Sequence, residues 1–282
     1  MALFKVAAFS DGQQGGNPAG VYISDQHPEE SEMRAIAAKL GYSETAFAAP
    51  IEKGGNARSW RVRYFSPESE VPFCGHATIA LGAVLSKEFG PAVYNLQLNN
   101  ANITVEASKN ENLYIAALQS PATHSQKASD AIVQSALGLF NLDANDLDSR
   151  LPPYIAHGGA DHLILSMKNR ELLAGMSYVQ SAGRDFMLAN GLVTVMLVYA
   201  QSNTVFHSRN PFASGGVYED PATGAASAAF AGYLRDIDWP HENSIQIIQG
   251  EDMGARSLLK VELSNEKGAS VRVSGSARFI AD

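Results

Sequence analysis

A weak internal repeat constrains the fold of this chain more than any other feature of its sequence. Residues 70–85 align without gaps to residues 219–234, with six identities in sixteen positions. The identical pairs are Glu70 and Glu219, Pro72 and Pro221, Gly75 and Gly224, Ala77 and Ala226, Ala80 and Ala229, and Leu85 and Leu234. Upstream, Arg63 and Arg209 occupy similar places, with a shift of three residues that a loop could absorb. The repeat predicts two related domains; the alternative is chance similarity between two stretches rich in alanine and glycine.

Length and composition agree with two globular domains. The chain has 282 residues, of which 45% are hydrophobic and 18% are charged, so a sizeable core can form. At roughly 150 residues per domain, this length favours two domains over one. We place the first domain at residues 1–115 and the second at residues 116–282. The tail from Ser244 either completes the second domain or crosses back, so that a C-terminal strand completes the first.

Helical and extended segments are mixed along the whole chain. Apolar residues at spacings of three and four predict an amphipathic helix over 29–40, and a further helix is predicted over 128–140. Segments rich in β-branched and aromatic residues predict strands over 4–9, 19–23, 43–48, 60–65 and 191–200. This mixture predicts an α+β protein whose many short strands pair mostly antiparallel.

Charge and hydropathy exclude several kinds of partner. With 21 basic residues, 29 acidic residues and no basic run, the chain is not expected to bind nucleic acid. The longest apolar run, residues 191–200, has about half of the roughly 20 residues that a membrane helix needs, so no membrane partner is expected. The first residues do not resemble a signal peptide, and the single cysteine, Cys74, excludes an internal disulfide. These features predict a cytoplasmic protein.

Each copy of the repeat predicts a helix that begins at a glycine. A proline is followed by Gly75 or Gly224, and then by alanine-rich helical segments over 77–85 and 225–234. The first N–H groups of a helix have no intrahelical acceptor and carry the positive end of its dipole, so helix starts bind anions. Two such starts facing one cleft would grip a carboxylate and polarise a neighbouring carbonyl or enolate. The alternative is that both glycines only permit tight turns.

Glu44 is a candidate acid/base. In an extended segment over 43–48, strand alternation puts it on the same face as Ala46 and Ala48, whose small side chains leave room for a ligand. A carboxyl group among apolar neighbours is suited to taking and returning a proton near neutral pH. The alternative is a solvated residue at the edge of the strand, as for most of the 29 acidic residues.

Three further side chains flank the two helix starts. His76 falls in the first turn of its helix, where its imidazole could hold a substrate amine or hydroxyl. Asp220, before Pro221, is either a turn residue or an active-site carboxylate. Cys74 is either a thiol base at the helix start or a small buried hydrophobic residue. No second ligand lies near His76 along the chain, and phosphate-loop and dinucleotide-binding glycine motifs are absent from the sequence, so neither a metal nor a nucleotide cofactor is predicted.

Four segments together form a recognisable combination. They are residues 16–21 (Gly-Asn-Pro-Ala-Gly-Val), 43–47 (Ser-Glu-Thr-Ala-Phe), 64–78, which begins Tyr-Phe-Ser-Pro and ends Val-Pro-Phe-Cys-Gly-His-Ala-Thr, and 219–224 (Glu-Asp-Pro-Ala-Thr-Gly). In this order and spacing the chain resembles the PhzF family of phenazine-biosynthesis-like isomerases. The resemblance covers essentially the whole chain and is weakest between Asn110 and Ser208.

The resemblance implies a fold and a type of reaction. The fold is that of diaminopimelate epimerase: two pseudo-symmetric α+β domains, each a curved, mostly antiparallel sheet around a central helix, with the active site between them. Family members act without cofactor or metal and are usually homodimers. The founding activity isomerises a dihydro-hydroxyanthranilate by moving a proton between ring carbons. The implied partner of this chain is therefore a small carboxylated substrate.

The resemblance also implies roles for individual residues. Glu44 would be the catalytic acid/base, and His76 and Asp220 would position the substrate and assist proton transfer. The implied substrate-binding residues lie in the first matching segment and at the two helix starts: Asn17, Gly75, Ala77, Gly224, Ala225 and Ala226.

Two departures from the family pattern argue against assuming that this chain acts on the family's founding substrate. Ala225 stands where the family often has serine, which removes a hydroxyl but keeps the backbone amide, and residues 211–216 differ from the usual Phe-x-Pro. The leading hypothesis is a cofactor-independent isomerase that uses Glu44. Two alternatives stay open: an epimerase assisted by the single thiol of Cys74, and a non-catalytic protein that binds a small ligand on the same fold.

Overall fold

The chain folds into two compact units. The computed structural model describes residues 1–51, 58–111 and 113–281. The first unit comprises Met1–Gln119 and Ser274–Asp282, and the second comprises Ser120–Val273. The C-terminal strand thus lies with the first unit, the arrangement in which the tail crosses back. In the described ranges, no helix is both long enough and apolar enough to cross a membrane.

In the first unit, each of the two helices is preceded and followed by strands along the chain. Its elements are β1 (Ala2–Ala8), β2 (Asn17–Ile23), α1 (Glu30–Leu40), β3 (Thr45–Pro50), β4 (Ser59–Phe65), β5 (Glu70–Val71), α2 (Gly75–Phe89), β6 (Ala92–Gln97), β7 (Asn102–Asn110) and β8 (Leu113–Gln119). The last strand of the chain, β17 (Arg272–Phe279), pairs with β1 and β8.

The second unit is also a mixture of strands and helices. Its elements are β9 (His124–Lys127), α3 (Asp130–Phe140), β10 (Tyr154–His157), β11 (Asp161–Met167), α4 (Arg170–Ala174), α5 (Gln180–Ala189), β12 (Thr194–Ala200), β13 (Val205–Phe212), β14 (Val217–Asp220), α6 (Gly224–Asp236), β15 (Ser244–Gln249) and β16 (Ser257–Glu262). The predicted helices over 29–40 and 128–140 correspond to α1 and α3.

Both units pair their strands in the same order. In the first, β1–β2 is antiparallel, β2–β3 parallel, β3–β4 and β4–β5 antiparallel, β4–β6 parallel and β6–β7 antiparallel. The series β10–β11, β11–β12, β12–β13, β13–β14, β13–β15 and β15–β16 repeats this order of directions. The α+β class and the mostly antiparallel sheets are confirmed. The parallel pairs were not predicted; in each, a helix between the two strands returns the chain to the same edge.

The repeat extends to one ion pair in each unit. The Arg63 guanidinium donates to both carboxylate oxygens of Glu70, at 2.8 and 2.6 Å, and Arg209 contacts Glu219 in the same bidentate way, at 2.9 and 2.5 Å. Glu70 pairs with Phe65 across β4–β5, whereas Glu219 lies opposite Pro211 across β13–β14. The segment from Arg209 to Glu219 is three residues longer than the segment from Arg63 to Glu70, and it contains the turn Ala213–Gly215. This difference accounts for the three-residue shift in the sequence.

A buried helix lies at the centre of each unit. The first twelve residues of α2, Gly75–Ser86, are buried, and α2 contacts β1, β2, β3, β7 and β8. Almost all of α6 is buried too, and it contacts β9, β10, β11 and β16. Alanine and glycine make up 7 of the 13 residues of α6, so neighbouring segments approach the backbone of this helix closely. A Cβ atom added at Gly232 would lie 2.5 Å from the Cβ of Thr123, which is too close for two packed atoms.

We expect Gly232→Ala to destabilise the protein by about 1–3 kcal/mol, because an added methyl group in a packed interior forces neighbours to shift. Thr123 cannot yield freely, since its hydroxyl donates to the Ala269 carbonyl and accepts from Arg235. Urea unfolding of the two proteins measures the change. The control is Gly138→Ala in α3, where a Cβ would meet no atom within 4 Å and alanine should be neutral or stabilising. Equal effects of the two substitutions would contradict the packing argument.

The buried side chain of His162 should make the stability of the second unit depend on pH. His162 in β11 is fully buried, with its Nδ1 2.7 Å from the Thr194 hydroxyl, and burial lowers the pKa of His162 to about 3. An unfolded chain binds a proton on this residue below about pH 6.5. Stability is therefore full above that pH and decreases as the pH falls from about 6.5 toward 3.

The expected loss is about 1.4 kcal/mol per pH unit, or about 2 kcal/mol at pH 5 relative to pH 7. The free energy of unfolding in urea, measured from pH 8 to pH 5, tests this. Below pH 6.5, His162→Gln should reduce the slope of the unfolding free energy against pH by about one proton, or about 1.4 kcal/mol per pH unit. A slope that does not respond to His162→Gln would refute the assignment.

Candidate active site

The Glu44 carboxylate lies beside the His76 imidazole in the first unit. The distance from Glu44 Oε2 to His76 Nε2 is 3.5 Å, and the two residues are 8% and 5% exposed. His76 is the second residue of α2, and Glu44 immediately precedes β3. The chain leaves α1 through Gly41 in the left-handed region, with φ of 69°. The strand begins at Thr45, two residues later than predicted, so Glu44 lies outside it. The Glu44 carbonyl accepts from the Gly20 N–H at 3.3 Å.

The imidazole of His76 also lies close to a thiol and a hydroxyl. Cys74 Sγ is 3.3 Å from His76 Nδ1, and Ser43 Oγ is 3.4 Å from His76 Nε2. Sequence reasoning did not single out Ser43, and its place directly before Glu44 was the signal that could have identified it. A ring between a carboxylate and a thiol can accept a hydrogen bond on one nitrogen and donate from the other, so it can orient both groups.

This geometry corrects the sequence argument about metal ligands. Spacing along the chain indicated no second ligand near His76, yet Glu44 and Cys74 both offer a ligand atom within 4.8 Å of it and of each other. Residues that are distant along the chain become neighbours once α2 packs beside the start of β3. The prediction that catalysis needs no metal stays a prediction.

The start of α2 lies next to these side chains. Cys74 is the N-cap residue and makes no side-chain capping bond, and the first amide to bond back along the helix is that of Thr78, which donates to the Cys74 carbonyl at 3.0 Å. By helix geometry, the amides of Gly75, His76 and Ala77 lack an intrahelical acceptor. Amides at the start of a helix can bind an anion, and these amides lie in the same unit as Glu44.

A buried hydrogen-bond chain holds this helix start in place. The Tyr64 hydroxyl lies 2.6 Å from Thr78 Oγ1, which donates to the Cys74 carbonyl at 2.7 Å. Burial raises the pKa of Tyr64 above its usual value, so the hydroxyl remains protonated at physiological pH. The helix start is therefore rigidly anchored through Tyr64 in β4.

In the second unit, Asp220 lies next to the start of α6. It is buried at the end of β14, and its carboxylate accepts a hydrogen bond from the hydroxyl of Thr223, the N-cap residue. Gln249 at the end of β15 links the two: its Nε2 donates to the Asp220 carbonyl at 2.6 Å, and its Oε1 accepts from the Thr223 N–H at 3.1 Å. Sequence reasoning missed Gln249, because no motif joins it to a site 26 residues away.

Asn210 is a second polar residue that the sequence analysis missed. It lies directly opposite Asp220 across β13–β14 and is fully buried, and its side-chain amide has no hydrogen-bond partner among the described residues. Its counterpart in the first unit is Tyr64, which lies opposite Val71 across β4–β5. The internal repeat was the signal that could have drawn attention to this position. Where Tyr64 reaches the helix with its hydroxyl, Asn210 is too short to do the same.

The predicted site residues thus form two groups. Glu44, His76 and the amides at Gly75 and Ala77 come together in the first unit. Those in the second unit are Asp220, Gly224, Ala225 and Ala226 at the start of α6. That the two groups serve one substrate in a common cleft stays a prediction.

Asn17 belongs to the first unit. It begins β2 opposite Ala8 and is buried. The preceding Gly16 has φ of 84°, and a Cβ there would lie 2.8 Å from the Ala8 carbonyl oxygen. Only glycine fits this turn without strain, so Gly16 sets the position of Asn17. Its predicted contact with substrate is untested.

Comparison with known proteins identifies relatives along the full length of the chain. The family model described as phenazine biosynthesis-like protein matches residues 6–282. An uncharacterized isomerase of Bacillus subtilis is 31% identical, with 96% of this chain and 93% of the relative covered. The trans-2,3-dihydro-3-hydroxyanthranilate isomerase of Pseudomonas fluorescens is 27% identical, with 96% of this chain and 94% of the relative covered.

Solved structures show the same fold. A phenazine biosynthesis protein of the PhzF family from Bacillus anthracis superposes with a TM-score of 0.85 at 22% identity, covering 100% of this chain and 98% of that one. A probable proline racemase from Agrobacterium radiobacter gives a TM-score of 0.68 at 10% identity, covering 99% and 91%. The predicted diaminopimelate epimerase-like fold is confirmed. The match over residues 6–282, together with the relatives named isomerases, establishes that this chain is an isomerase belonging to the phenazine biosynthesis-like protein family.

Proposed function

We propose that the enzyme moves a proton between two carbon atoms of a small carboxylated metabolite, with Glu44 as the acid/base. The observation that carries the proposal is the buried Glu44 carboxylate, 3.5 Å from His76 and beside the amide-rich start of α2. A base, a hydrogen-bonding partner and anion-binding amides are the components that such a reaction requires. The substrate would carry an amino or hydroxyl group next to its carboxylate.

The reaction would proceed in two proton transfers. The Glu44 carboxylate removes a proton from a substrate carbon, and the electron pair left behind spreads into the adjacent π system. Glu44, now protonated, returns the proton to a different carbon, so that the double bond shifts and no atom is gained or lost. Negative charge develops between the two steps, and the helix amides with His76 would stabilise it. One preorganised donor of this kind is worth roughly 3–4 kcal/mol of barrier.

His76 and Asp220 would have supporting roles. His76, whose Nε2 lies 3.5 Å from the Glu44 carboxylate, would orient this carboxylate and contact a polar group of the substrate. Asp220, fixed by Thr223 and Gln249, would bind an amino or hydroxyl group. Ala225 still supplies its backbone amide, but it cannot supply the hydroxyl that the family often has there.

One specific observation favours a second candidate, in which Cys74 is a second acid/base. Its sulfur lies 3.3 Å from His76 Nδ1, so a proton could pass between the thiol and the imidazole. In that case Glu44 and Cys74 would act from different directions on one carbon and invert its configuration. A mechanism with two opposed thiols is excluded, because the chain has one cysteine.

Solvent deuterium exchange tests the proposal directly. The enzyme is incubated in D₂O with a panel of small carboxylic acids that includes trans-2,3-dihydro-3-hydroxyanthranilate, the compound in the name of the Pseudomonas relative. We expect deuterium at a substrate carbon together with a shifted double bond. Tight binding without exchange across the panel would favour a non-catalytic binding protein. Exchange that survives Cys74→Ala supports Glu44 alone, whereas loss of exchange in a folded Cys74→Ala protein favours the thiol.

A further inference from the structure

We propose that Glu44, Cys74 and His76 form a binding site for a soft divalent cation, with Zn²⁺ as the preferred ion, and that the bound ion inhibits the enzyme. These residues supply a carboxylate oxygen, a sulfur and an imidazole nitrogen from two different elements. Among the residues that the structure describes, they form the one cluster of three such ligand types within reach of a single ion. The metal site rests on ligand geometry alone, whereas inhibition by the bound ion rests on the proposed function, in which Glu44 is the acid/base.

The spacing of the three ligand atoms is close to that of a tetrahedral zinc site. With Zn–S near 2.3 Å and Zn–N and Zn–O near 2.0–2.2 Å, neighbouring ligand atoms lie about 3.3–3.6 Å apart. His76 Nε2 is 3.5 Å from Glu44 Oε2 and 4.0 Å from Cys74 Sγ, and all three atoms lie within 4.8 Å of one another. The 4.0 Å separation of Cys74 Sγ from His76 Nε2 exceeds that of a loaded site, so side-chain rotation would have to bring the sulfur closer to the ion.

The charge balance favours a bound ion in this buried place. A thiolate and a carboxylate neutralise the two charges of Zn²⁺, and the neutral imidazole completes the set, so the loaded cluster carries no net charge. A sulfur and an imidazole nitrogen select zinc over magnesium or calcium, which prefer oxygen ligands.

Three protein ligands leave a fourth position open, as in zinc sites that bind a water molecule or a substrate group. Here the ion would occupy both Glu44 and His76, so neither could take part in proton transfer. The expected behaviour is reversible inhibition by micromolar or lower zinc that a chelator relieves.

The experiment uses the full chain, purified without metal, and Zn²⁺ or Co²⁺ chloride as the probe. We expect one zinc ion per chain by equilibrium dialysis, and with Co²⁺ a thiolate-to-cobalt charge-transfer band in the near ultraviolet. Cys74→Ser should abolish that band. Cys74→Ser and Glu44→Gln should each weaken zinc binding by about 100-fold or more, since even partners outside the ligand shell contribute 10- to 100-fold. Circular dichroism establishes that each variant is folded.

A matched control comes from the surface of the second unit. His124 and His157 lie directly opposite each other on β9 and β10, with ring centroids 4.7 Å apart, and such a pair is the obvious competing metal site. The double variant His124→Gln/His157→Gln should keep the cobalt band and the zinc affinity. If it loses zinc while Cys74→Ser retains it, the proposal is overturned, as it is if the unaltered chain binds no zinc. Because binding is measured without substrate, failure here leaves the proposed reaction standing, and an inactive protein that binds zinc leaves the metal site standing.

Discussion

Glu44→Gln should abolish turnover while the protein stays folded. The substitution keeps the shape of the side chain but removes the group that accepts and returns the proton. General acid/base catalysis contributes about 100- to 10,000-fold to the rate. We therefore expect kcat to decrease by at least about 100-fold on any substrate that the exchange experiment identifies. His76 and the amides of α2 remain in place, so substrate affinity should change much less than kcat.

Steady-state kinetics and urea unfolding of the same preparations separate chemistry from stability. Glu88→Gln is the matched control, since Glu88 is an exposed glutamate near the other end of α2, and its activity should equal that of the unaltered enzyme. A Glu44→Gln protein with full activity would remove Glu44 from the mechanism. Loss of activity together with loss of folding would be resolved by Glu44→Asp, which keeps the carboxylate and should recover part of the rate.

Glu219→Gln should destabilise the protein by about 3–5 kcal/mol, the usual cost of leaving one member of a buried ion pair without its partner. The side chains of Arg209 and Glu219 are only 9% and 3% exposed. Arg209 also donates to the Ala174 and Met176 carbonyls, at 2.8 and 3.1 Å. The guanidinium is thus held in the interior when the opposing charge is removed, and cannot turn toward water.

The internal repeat supplies a control with the same bidentate geometry and different burial. Arg63 and Glu70 are 20% and 22% exposed, and Arg63 also pairs with Glu30 at 3.0 Å. Water and Glu30 therefore compensate the charge of Arg63 when Glu70 is neutralised. Glu70→Gln should therefore cost about 1 kcal/mol or less. Free energies of unfolding from urea titrations compare the two variants. Equal costs would show that burial does not set the energy of this pair, contrary to our expectation.

Much of the candidate site could be predicted from the sequence. The gapless match of 70–85 to 219–234 identified both helix starts, and the ion pairs of Arg63 and Arg209 explain why the repeat continues upstream with a three-residue shift. Such features are encoded locally, since a glycine, a proline and an alanine-rich run specify a turn and a buried helix wherever they occur.

Other parts of the site could not be predicted, because they depend on contacts between distant residues. The 3.3 Å approach of Cys74 to His76 depends on the rotamers at the start of α2. The link from Gln249 to Asp220 depends on the parallel pairing of β13 with β15. Strand propensity predicted neither this pairing nor the start of β3 at Thr45, because propensity describes single segments and not the order in which they pair.

The sequence by itself determined the α+β class, the two related halves and the identity of the acid/base candidate, since periodicity, glycine placement and motif order are properties of the chain. Only the tertiary structure decided that Glu44, Cys74 and His76 form one cluster, and that the ion pair of the second unit is more buried than its counterpart in the first. The physical reason is that distances of 3–4 Å and degrees of burial arise from strand register and helix packing. Spacing along the chain does not encode either of these.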